Sequence, residues 1–137
     1  MNEWGRRYLL MTAGGHPYLL PLEQVSEVLE PRPLSLVPRS PAWCSGALQS
    51  GGVVVAVIDL SMYMGDDRQE KPDRIVVLDT SSGGVAMLVE HVEDLPVADE
   101  GMFERDIHGC WLETAAGRAE LLDVHELVQE ISAAMSS

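Results

Sequence analysis

Two stretches of the chain, RYLLMTAGGHPYLLPLEQV and RIVVLDTSSGGVAMLVEHV, follow one pattern, and that duplication limits the possible folds more than any other feature. Each is a pair of apolar runs separated by a glycine pair, Gly14-Gly15 in the first and Gly83-Gly84 in the second. Short apolar runs flanking such a turn read as a β-hairpin, since glycine takes the positive φ that tight turns demand. Sliding the first stretch by 67 positions sets Tyr8 on Ile75, Leu22 on Val89, Glu23 on Glu90, Val25 on Val92, Glu27 on Asp94 and Val28 on Leu95 without a gap. A second matched stretch follows each hairpin: GALQSGGVVVAVIDL from Gly46, and GCWLETAAGRAELLDV from Gly109. Both open on glycine, break at a small-residue turn and end in apolar-Asp-apolar, at Asp59 and Asp123. A mainly β protein of two similar units packed side by side is the expectation.

Helix is expected only after Asp123, where Val124, Leu127, Val128, Ile131 and Met135 share one face of a segment over residues 123–135. Asp123 and Glu126 have the spacing of a capping box, so Asp123 reads as an N-cap accepting from free amides of the first turn. By the repeat Asp59 is the same device, opening the short turn Leu60–Met64 before Gly65. Between the halves, PRPLSLVPRSPAW carries Pro31, Pro33, Pro38 and Pro41, which block regular helix. The polar run GDDRQEKPD, residues 65–73, reads as an exposed connection.

Charge narrows the partners. With 9 Lys and Arg against 22 Asp and Glu, the net charge of -13 disfavours nucleic acid and an anionic membrane surface as partners, since both need a basic patch. The start, MNEWGRRYLL, lacks the apolar core of a signal peptide, and no run nears the roughly 20 apolar residues of a membrane span, so a cytoplasmic protein is expected. Cys44 and Cys110, each beside a tryptophan, read as packing positions.

Catalytic patterns fare poorly. IVVLDTSSGG resembles the active-site turn of aspartic proteases, but Ser81 stands where they carry glycine, and the repeat sets Thr12 rather than a second acid against Asp79. A small hydrolase using Asp59 or Asp79 is the alternative from a different class. His16, His91, His108 and His125 are scattered without metal-ligand spacing, and no GxSxG elbow or P-loop is present, so no metal, cofactor or catalytic residue is expected.

The same pieces, YLLMTAGGHPYLLPLEQVSEVLE, then PAWCSGALQSGGVVVAVIDL, then RIVVLDTSSGGVAMLVEHVEDL, resemble in order and spacing the CheW-like domain, the adaptor of bacterial chemosensory systems. The family pattern, a G-[VI]-x-N-L-R-G turn leading to a strand that ends in P-[VI]-[VIL]-D-L, is met by Gly46, Gly52, Asp59 and Leu60, with Val89, Val92 and Leu95 matching in the second half. The resemblance implies two small SH3-like five-stranded β-barrels related by a pseudo-twofold, in one domain. One subdomain would span about residues 17–72 and the other about 73–122, with the N-terminal strand and the C-terminal helix packing across. It implies a non-enzymatic cytoplasmic adaptor, without direct membrane insertion, that couples chemoreceptor cytoplasmic tips to the regulatory domain of a CheA-like histidine kinase. It further implies that Val25, Glu27 and Val28, with Gly46, Gln49, Ser50, Gly51 and Gly52 of the glycine turn, bind partners; ordinary strand packing is the competing account of Val25 and Val28. One departure stands out: the family's N-L-R-G is Gln49-Ser50-Gly51-Gly52 here, so glycine replaces a guanidinium, and Ala56 replaces the following proline. A divergent module with a different signalling partner is the second expectation.

Overall fold

A computed structural model describes residues 6–79, 81 and 83–136, apart from the side chains of residues 95–97 and 100. The first five residues and the Leu95 side chain, which the repeat sets against Val28, therefore lie outside the described residues.

Both Gly-Gly stretches fold as antiparallel hairpins. The first joins β1 (Arg6–Ala13) to β2 (His16–Pro21), and the second joins β6 (Arg74–Leu78) to β7 (Val85–Val89). The register repeats with the sequence: Leu9 faces Leu20 in the first, and Val76 faces Met87 in the second. After the first hairpin come β3 (Val25–Leu29), β4 (Cys44–Ser50), β5 (Val53–Asp59) and a one-turn helix α1 (Leu60–Tyr63). After the second come β8 (His91–Ala98), β9 (Glu104–Asp106), β10 (Gly109–Thr114), β11 (Gly117–Leu121) and α2 (Val124–Met135).

The strands form two sheets, ordered β3-β6-β7-β5-β4 and β8-β1-β2-β11-β10-β9. Under the repeat these are one order, so the two SH3-like units are related by an approximate twofold, with β9 added at one edge. Each hairpin completes the sheet of the opposite half: β1 and β2 join β8–β11, whereas β6 and β7 join β3–β5. A division at residues 72/73 consequently cuts across both sheets, and the two units are not consecutive in sequence. Parallel pairings make the exchange, Tyr18 against Glu120 and its counterpart Val85 against Ala56.

The exchange explains why the hairpin strands are almost continuously apolar. Tyr8, Leu10 and Leu19 pack inside one unit with Phe103 and Leu112, and their repeat mates Ile75, Val77 and Ala86 pack inside the other with Leu48 and Val55. The intervening residues, Leu9, Met11 and Leu20 and their mates Val76, Leu78 and Met87, fill a third core between the units. A strand buried on both faces has no polar side to alternate with. Val124, Leu127, Val128 and Ile131 of α2 are buried in this third core, with Met135 at its margin, so the helix covers the junction.

Candidate functional site

The expected partner residues come from two elements that lie at opposite edges of the five-stranded sheet, β3 and β4. Side-chain chemistry brings the edges together: Ser50 Oγ donates to Glu27 Oε1 at 2.5 Å. A bulge in β3 permits this. Val25 pairs with Leu78 and Glu27 with Val77, leaving Ser26 outside the ladder. Glu27 thus stands on the same side of the sheet as Val77, and from there it reaches the closing edge.

The turn between β4 and β5 contains only Gly51 and Gly52, at φ 56° and 80°, between the paired Ser50 and Val53. Two positive φ values in a two-residue loop match the right-handed twist of the flanking strands, and glycine reaches them without strain. No atom lies within 4 Å of where a Cβ would stand on either glycine, so the tip projects into open space.

The eight residues are placed unequally. Glu27, Val28, Gln49, Gly51 and Gly52 are exposed, while Ser50 is buried behind its bond to Glu27. Val25 is half-buried and packs against the core between the units. Gly46 is buried too: a Cβ there would stand 2.7 Å from both Leu34 Cβ and the Ser35 carbonyl oxygen. The proline-rich crossing lies directly on it, held by paired backbone bonds of 2.9 Å between Ser35 and Ala47. Sequence reasoning passed over Val53 and Val54, which follow the turn; Val54 is 64% exposed. Their place in an apolar run suggested burial, whereas they sit where β5 runs out beyond the core. Exposed valines beside a carboxylate and a projecting glycine tip suit a modest protein contact.

Asp59 is differently occupied. It is 3% exposed and N-caps α1, its Oδ1 accepting from the Met62 amide at 3.2 Å and from Ser61 Oγ at 2.7 Å. Oδ2 is ion-paired with Arg68. Burial alone raises this carboxyl, but the Ser61 hydroxyl, the Met62 amide and the Arg68 guanidinium together hold it below the ordinary carboxylate value. Asp123, its counterpart, caps α2 through one bond of 3.1 Å from the Glu126 amide and is exposed. Asp79 Oδ1 accepts from the Ser81 amide at 3.1 Å, closing a local turn at the end of β6.

The connection over residues 65–73 is exposed and also tied down at several points. Arg68 reaches Asp59, the Gln69 amide donates to buried Glu90 at 2.8 Å, and Glu70 meets His91 at 3.1 Å. Among the described residues no group of three or more His, Cys, Asp or Glu side chains is placed to hold a metal ion. No helix among them is long and apolar enough to cross a membrane.

The fold is a duplicated β-scaffold that leaves the β3 edge and the Gly51-Gly52 turn exposed. The chain belongs to the CheW-like domain family, whose model matches residues 7–132. It is similar to a probable chemotaxis protein CheW of Rhizobium etli, 28% identical over 103 residues that cover 73% of this chain and 66% of that protein. In fold it is similar to the crystal structure of the scaffolding protein TtCheW from Thermoanaerobacter tengcongensis, with a TM-score of 0.78, 20% identity, and coverage of 90% of this chain and 92% of that one.

Proposed function

We propose that the chain is a non-catalytic adaptor of a bacterial chemosensory system, coupling a chemoreceptor cytoplasmic tip to the regulatory domain of a CheA-like histidine kinase at the cytoplasmic face of receptor arrays. The observation that carries this reading is the Glu27–Ser50 bond, which joins β3 and the Gly51-Gly52 turn into one accessible surface on a CheW-like scaffold. Val28 on β3 and Val53 and Val54 after the turn supply exposed apolar area at these two elements, and Glu27 supplies the charge that sets orientation. Ser50 and Gly46 hold the surface from beneath. Co-elution of the chain with its kinase's regulatory domain on size-exclusion chromatography at tens of micromolar is the expected result; independent elution of the two proteins would refute kinase coupling.

Gly51 favours a second reading, a module serving a different signalling partner, because glycine offers none of the five donors a guanidinium presents. Open space around Gly51 admits an arginine at the cost of its positive φ, about 1–2 kcal/mol. Kinase binding that appears only in Gly51→Arg would establish this second reading; equal binding by both forms would remove it.

A further inference from the structure

The two-residue turn between β9 and β10 carries Ile107 at its tip, 94% exposed, and β9 pairs with β10 along three residues where the other half has a single Ser35–Ala47 bridge on β4. Beside this hairpin runs a cleft of about 700 Å³, bounded by the end of β11, the end of α1 and the first turns of α2. Its floor is apolar, with half-buried Met64 and Leu121 and buried Leu127. Glu120, Glu126 and Glu130 line its walls, and Asp106 stands at the hairpin with Arg105 and His108. The hydrogen bond from the Tyr63 hydroxyl to Glu130 Oε1, 2.6 Å long, joins α1 to α2 along one side.

We infer that this cleft docks a cationic amphipathic protein segment, laying an apolar side chain against Ile107 and Leu121 and a Lys or Arg between Glu120 and Glu126. Ile107 lines the same cleft as Met64, Leu121 and Leu127, so its exposed side chain extends an apolar surface rather than standing singly, and such a surface suits a partner. Charge complementarity selects the partner, since the cleft offers carboxylates in excess on a chain of net charge -13. Burial raises the Glu120 carboxyl, and a cation placed beside it would act in the opposite direction. The cleft shares no residue with the surface at β3 and the Gly51-Gly52 turn, so a second partner could bind while the first is in place.

The test is an NMR titration of the full-length, isotope-labelled chain with a synthetic helical peptide bearing leucines on one face and lysines beside them. A counterpart with glutamates in place of the lysines is the control. Saturable shifts of amides in residues 105–110 and 120–127 are expected with the lysine peptide alone. Ile107→Ser should weaken that binding about tenfold, and so should Glu120→Gln combined with Glu126→Gln. Both sets of substitutions lie at exposed or half-buried positions, and the amide spectrum itself reports whether each variant is folded. Absence of saturable shifts at the cleft up to millimolar peptide, equal binding of the glutamate peptide, or indifference to Ile107→Ser in a folded variant would overturn the inference. Such a result would leave the kinase-binding test at β3 unaffected.

Discussion

Asp59 and Asp123 occupy equivalent places in the repeat and both cap helices, yet their removal should have very different consequences. Asp123→Ala deletes one exposed cap bond, which costs about 1 kcal/mol. Asp59→Ala deletes a cap bond of similar worth and also leaves the buried Ser61 hydroxyl without its acceptor, a loss of about 1–3 kcal/mol. The Arg68 pair adds little, roughly 0–1 kcal/mol, because Arg68 is 43% exposed and solvent screens it. The sum is about 3 kcal/mol. With a urea slope of about 2 kcal/mol/M for a small domain, the unfolding midpoint should fall by about 1.5 M for Asp59→Ala and about 0.5 M for Asp123→Ala. Asp59→Asn should lie between them, since its oxygen can still cap Met62 while its amide faces Arg68 donor to donor. The pH dependence follows from the direction of the shift. The carboxyl is lower in the folded than in the unfolded chain, so its stabilisation is complete above the unfolded value of about 4 and disappears as pH falls through the folded value. Stability of the Asp59→Asn variant should therefore fall less steeply below about pH 4 than that of the parent chain. Equal midpoint shifts for the two alanine variants, or parallel acid profiles for parent and Asp59→Asn, would refute the reasoning.

Other outcomes follow from the same geometry. Gly46→Ala should destabilise by several kcal/mol, since its Cβ would strike both Leu34 and the Ser35 backbone, whereas Gly51→Ala should cost only the positive-φ penalty of about 1–2 kcal/mol; chemical denaturation of the two variants checks the order. Tyr63 is pushed up to about 12 by burial and by its bond to Glu130, and burial with nearby Asp66 and Glu120 also puts Tyr18 at about 12. Absorbance at the phenolate band should show both ionising well above the unfolded value of about 10, with the stability they confer lost between roughly pH 10 and 12. Titration of both near 10 in the folded chain would contradict the packing described. Replacing Tyr63 by Phe should delete one of the late-ionising groups.

Much of the architecture is legible in the sequence because it rests on local chemistry. Gly-Gly turns between apolar runs mark both hairpins, and the spacing of Val124, Leu127, Val128 and Ile131 marks the one long helix. The exchange of hairpins between sheets leaves no such mark, since the parallel pairings of β2 with β11 and β5 with β7 join strands with no connecting turn to signal them. β9 is a three-residue, fully polar strand, Glu104-Arg105-Asp106, paired to β10 and linked to Arg118 of β11 through Glu104, so apolar periodicity cannot reveal it. At the candidate site, the sequence shows the glycine turn but not the β3 bulge, and a shift of one residue decides that Glu27 rather than Ser26 meets Ser50. The burial of Gly46 leaves no mark in the sequence because where the Pro31–Pro41 crossing lies over β4 is a tertiary fact, and the exposure of Val54 is masked by its place in an apolar run.

The adaptor account rests on β3 and the Gly51-Gly52 turn acting as one partner surface, and isothermal titration calorimetry of the kinase regulatory domain against three forms of the chain tests it most directly. The parent chain and Ile107→Ser should bind alike. Val28→Asp, which sets a charge at the exposed edge strand, should weaken binding at least tenfold, about 1.4 kcal/mol or more. Undiminished binding by folded Val28→Asp would contradict the account.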